Sequence, residues 1–65
     1  MFKQGEFVKI RKEWQDDASD DLRTWVVTHD EIDSRVHIRL ASDPAREWPF
    51  PPSECVKPEM IERIV

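Results

Sequence analysis

Val36, Ile38 and Leu40 alternate with Arg35, His37 and Arg39. A period of two puts every second side chain on one face of an extended chain. Residues 35–41 therefore predict a half-buried strand with an apolar inner face and a cationic, wet outer face. Val8 and Ile10 alternate with Lys9 and Arg11 in the same way and predict a strand within residues 6–13, after the turn residue Gly5. Phe7 points opposite to Val8 and is expected to cover one end of the core with Phe2. Residues 22–29 carry apolar groups on both faces: Trp25 and Val27 on one, Val26 between Thr24 and Thr28 on the other. Such a strand belongs in the middle of a sheet. The polar turn at 30–34 joins segments 22–29 and 35–41 into a predicted hairpin.

The remaining segments follow from composition. Residues 13–22 form a long acidic loop with Trp14 at its base, because Asp16, Asp17, Asp20 and Asp21 disfavour strand and packed helix alike. Residues 42–46 predict a turn opened by Asp43-Pro44. Residues 47–50 predict a short edge strand, the prolines having no N–H to donate. Pro51-Pro52-Ser53-Glu54 suits one tight turn capped by Ser53, and Cys55-Val56-Lys57 a last short strand. In 58–65, Pro58 fits a first helical position, and Met60, Ile61 and Ile64 an apolar stripe. A short C-terminal helix and an extended tail are equal expectations there. The fold class read from this pattern is all-β: one domain over residues 1–65, a small antiparallel barrel of about five short strands.

Phe50-Pro51-Pro52-Ser53-Glu54-Cys55-Val56-Lys57 resembles the segment of SH3-like barrels in which an aromatic-proline-serine turn precedes the last strand. Gly5-Glu6-Phe7-Val8-Lys9-Ile10-Arg11 is similar to the opening strand of such barrels. The resemblance covers nearly the whole chain as a pattern and implies an SH3-like barrel. The chain has no tyrosine and lacks the paired tryptophans of peptide-binding SH3 domains, so the resemblance does not extend to their mode of recognising proline-rich peptides.

Composition narrows the function classes. Charged residues make up 37% of the 65 residues and the net charge is −4. Proteins that grip nucleic-acid backbones generally are basic, so this balance favours another protein as partner. No run behind Met1 is apolar enough for a signal peptide, and the longest apolar run, Trp25-Val26-Val27, is far short of a membrane span. The cytoplasm is the expected location, without membrane insertion. Cys55 is the single cysteine, so no disulfide staples the fold from within, and it is expected to be a small half-buried apolar residue.

The candidate contact surface combines Trp14, Trp48 and Phe50 with the acidic residues Asp16, Asp17, Asp20 and Asp21. Tryptophan is enriched at interface hot spots, and charge steers association. The alternative for Trp14 and Trp48 is to plug the ends of a small core. Trp25 is assigned to the core. The acidic loop lacks the spacing and the glycine of a calcium loop. Lys9, Arg11, Arg35, His37 and Arg39 make a candidate cationic strip for nucleic acid. His29 and His37 have no further ligand at a recognised spacing, and Cys55 has no evident pocket for nucleophilic chemistry. No metal, cofactor or catalytic activity is expected. A non-enzymatic protein-interaction module, acting as a small accessory subunit or adaptor, is the leading expectation. A nucleic-acid or ribonucleoprotein barrel and a self-associating structural protein are the alternatives.

Overall fold

The computed structural model describes residues 1–64, with Ser19 described by its backbone alone. Five strands run in chain order: β1 (Phe7–Ile10), β2 (Thr24–Val27), β3 (Val36–Ser42), β4 (Ser53–Val56) and β5 (Ile61–Arg63). They form one antiparallel sheet in the order β4-β3-β2-β1-β5. Single 3-10 turns cover Lys12–Trp14, Ala18–Leu22 and Pro58–Met60. The protein is therefore all-β. Among the described residues no ladder joins β4 to β5, so the sheet is not closed by hydrogen bonds there.

The inner face follows the alternation. Val36, Ile38 and Leu40 are buried on β3, Trp25 and Val27 on β2, Val8 on β1, Val56 on β4 and Ile61 on β5. Register stacks them: Trp25 lies opposite Leu40 and Val8, Val27 opposite Ile38, and Val36 opposite Val56. As expected, β2 occupies the centre of the sheet, with Thr24 and Val26 half-buried on its other face. The turn between β2 and β3 has Asp33 and Ser34 both at positive φ, 52° and 59°, closed by a bridge between Ile32 and Arg35. Two left-handed residues match the twist of the flanking strands, and a short polar side chain tolerates that conformation. Gly5 precedes β1 at φ 94°, which glycine adopts without strain.

Four expectations need correction. Residues 47–50 form no strand. Pro49 within the segment and Pro51 and Pro52 just after it withhold donors, and ladder pairing starts where Leu40 N donates to Pro52 O at 3.0 Å. Ser53 and Glu54 thus belong to β4 and not to a capped turn. Residues 58–64 form no α-helix. One 3-10 turn carries the chain into β5, where Ile61 is fully buried opposite Ile10 and Glu62 faces Lys9. Burying Ile61 on a strand satisfies the core in three residues, too few for a helical stripe. Val65 lies outside the described residues. Phe2 is buried in the core without Phe7, with the Arg63 guanidinium 4.3 Å from its ring, while Phe7 is exposed on the outer face. Cys55 is exposed on β4 opposite His37, because it shares the outer face with that residue.

Candidate functional site

A cavity of about 300 Å³ opens along the unpaired side of β4, under the 11–23 loop. Its apolar wall comes from Trp14, Trp25 and Trp48, with Ile10, Val56 and Met60 beneath. Its charged wall comes from Asp16, Asp20, Arg23 and Glu54. This size lies at the lower end of ligand pockets, roughly 300–1,000 Å³.

Each wall has a local cause. The 3-10 turn at Lys12–Trp14 leaves Trp14 half-exposed at the rim. Trp25 is delivered by the central strand and is buried, yet its indole Nε1–H has no hydrogen-bond partner. Glu54 sits opposite Ile38, the inner-face position where alternation calls for an apolar residue. It stays exposed because β4 is the edge strand and the cavity runs beside it.

Trp48 is held by Asp43. Trp48 Nε1 donates to Asp43 Oδ2 at 2.8 Å, Arg23 Nε donates to the same oxygen at 3.0 Å, and Ala45 N donates to Oδ1 at 3.1 Å. The Asp43 side chain is 1% exposed. The bond from Trp48 holds its carboxyl below the ordinary value of 3.8, against the opposing effect of desolvation, with Arg23 and Ala45 adding to the lowering. Arg23 also pairs with Asp20. Arg46 stacks on the Trp48 ring at 3.9 Å from its centroid. Trp48 therefore packs against the core as a braced, half-buried residue and still lines the cavity.

The structure brings Trp14, Asp16, Asp20 and Trp48 together at this cavity. It does not bring Asp17, Asp21 or Phe50 there. Asp21 is paired with Lys9 at 3.1 Å, and that bond, with a second from Gln15, lowers its carboxyl pKa. Phe50 is 86% exposed at the tip of the 43–52 segment. Of the cationic residues, Lys9 and Arg11 are neutralised by Asp21 and Glu62, while Arg35, His37 and Arg39 are exposed. His29 and His37 meet edge to face with centroids 5.3 Å apart, and among the described residues no group of three candidate ligands gathers for a metal. No helix among those residues is long and apolar enough to cross a membrane.

Sequence reasoning did not single out Arg23, Asp43 or Glu54 as site residues. Asp43-Pro44 signals a turn, and nothing local shows that its carboxylate reaches Trp48 and Arg23. Glu54 did leave a trace, as a charge two residues before the buried Val56. Comparison with family models, curated proteins and solved structures finds no match to this chain.

Proposed function

We propose that the chain is a small SH3-like protein-interaction module that binds through the Trp14–Trp48 cavity and has no catalytic role. The observation that carries this reading is the cavity itself. Three tryptophans meet in one concave site on a protein with only three, and one of them is half-exposed at the rim. Concave aromatic surface with a charged rim is where hot-spot energy concentrates. The strand order, with a single 3-10 turn before the last strand, supports the SH3-like reading of the fold.

Trp14 is the residue to test, because it lies outside the buried core and can be removed without a cavity in it. Nuclease-treated lysate passed over immobilised wild-type protein and Trp14→Ala is expected to leave a protein on the first that is depleted about 30-fold on the second, the size of a hot-spot loss. Equal retention on both would sink the proposal. Material that nuclease removes from the wild type would move the assignment to nucleic acid and to the exposed Arg35, His37 and Arg39.

A further inference from the structure

We infer that the cavity takes a basic segment of a partner protein: a lysine or arginine side chain enters beside Trp14 and Glu54, and a main-chain carbonyl of that segment accepts the Trp25 Nε1–H. The inference rests on the cavity being the contact surface proposed above.

Three observations converge on this ligand chemistry. The first is charge. Asp16, Asp20 and Glu54 line the cavity against one cation, Arg23, which is already engaged by Asp20 and Asp43. An incoming cation therefore meets net negative charge. The second is the wall. Indole faces attract a cation through the ring quadrupole, most strongly for tryptophan. Trp48 already has Arg46 on its ring, whereas among the described residues no cation is recorded over Trp14. The third is the orphaned donor. Trp25 is 4% exposed and forms part of this wall, and its indole N–H is buried without a partner among the described residues. A buried donor left unmade costs about 1–3 kcal/mol, so an acceptor that displaces the cavity wall and reaches this closed-off atom relieves a standing penalty. A peptide supplies both groups at once, a cation on a long stem and a carbonyl on its backbone.

An inward carboxylate on an edge strand also discourages edge-to-edge pairing. That role needs no ligand, and Glu54→Lys preserves it while reversing the charge at the cavity. The probe is a displayed library of random dodecapeptides, panned on the wild-type protein and on blank support. Enriched sequences are expected to be rich in lysine and arginine. A synthetic copy should shift the Trp25 indole N–H resonance, assigned by its disappearance in Trp25→Phe. Glu54→Lys should weaken it about 10-fold or more, as like charges across an interface do. Should Trp25→Phe fail to fold, the Trp25 resonance is assigned instead by triple-resonance spectra of the wild type. Enrichment of neutral or acidic peptides that still need Trp14 overturns the basic ligand and leaves the contact surface standing. No enrichment over blank support, a Trp25 resonance that stays put, or affinity indifferent to Glu54→Lys each overturns the inference.

Discussion

The β2–β3 hairpin and the 43–52 segment adjoin at one end of the sheet and are held by different forces. The hairpin is an apolar ladder: Trp25 on Leu40, Val27 on Ile38, with a two-residue turn at its tip. The 43–52 segment has no ladder of its own. It is organised by one carboxylate, Asp43, which accepts from Trp48, Arg23 and Ala45. Non-directional burial and a directional polar hub fail differently, and substitutions can tell them apart. A lost methylene leaves a cavity that neighbours partly fill. A lost hub acceptor leaves several donors unpaired together.

The largest effect is expected in the ladder. Ile38 is 1% exposed at its centre, and Ile38→Ala should cost about 2–5 kcal/mol. A domain this small rarely holds more than about 3–5 kcal/mol. Ile38→Ala should therefore be unfolded at room temperature by circular dichroism, and a cooperative melt close to wild type would show that the ladder is not the core's centre. Asp43→Ala should come next, lowering Tm by on the order of 5–10 °C. Its signature is local: Trp48 fluorescence should shift to the red while the slow amides of β2 and β3 stay protected. Uniform loss of protection would erase the distinction between the two regions.

Acid sharpens the same contrast. Asp43 is held below 3.8 in the folded protein, so its stabilisation is fully present above that value and is lost as pH falls through the lower folded value. Asp21, held down by Lys9, acts in the same direction. Wild-type stability should fall from about pH 4 downward, and Asp43→Asn should flatten that slope. An unchanged slope in Asp43→Asn would assign the acid sensitivity to other carboxylates. Gly5→Ala should cost about 1 kcal/mol in denaturant titration, because φ 94° strains any residue with a Cβ, although nothing lies within 4 Å of the added atom. Phe50→Ser should stay within about 0.5 kcal/mol of wild type. A larger loss would mean that Phe50 packs in solution on something its exposed position does not show.

What could be read from the residues follows the same divide. Alternation identified β3 and its buried face, and the two-faced Trp25–Val27 segment identified the central strand, because both signals are local and periodic. The path of residues 47–56 was misplaced by several residues because proline marks where a ladder cannot form and says little about where it begins. The C-terminal segment was misread because Met60, Ile61 and Ile64 fit a helical stripe as well as a strand, and only Ile10, far away in the chain, decides for the strand. At the site, Trp14, Trp48, Asp16 and Asp20 were legible by type. Their meeting with Trp25, Arg23 and Glu54 was not, since it depends on the open side of β4 and on the reach of Asp43, which no spacing encodes.

The pairing of β1 with β5 has a kinetic consequence. Val8 with Arg63, Lys9 with Glu62 and Ile10 with Ile61 join positions from opposite ends of the described chain, whereas β2 and β3 are separated by a short turn. Closure entropy rises with the length of chain enclosed, so the hairpin is the cheaper nucleus and β5 the last strand to arrive. On this view the rate-limiting barrier is crossed before β5 docks. Mutations in β5 should then speed unfolding and leave the refolding arm of the chevron nearly unmoved.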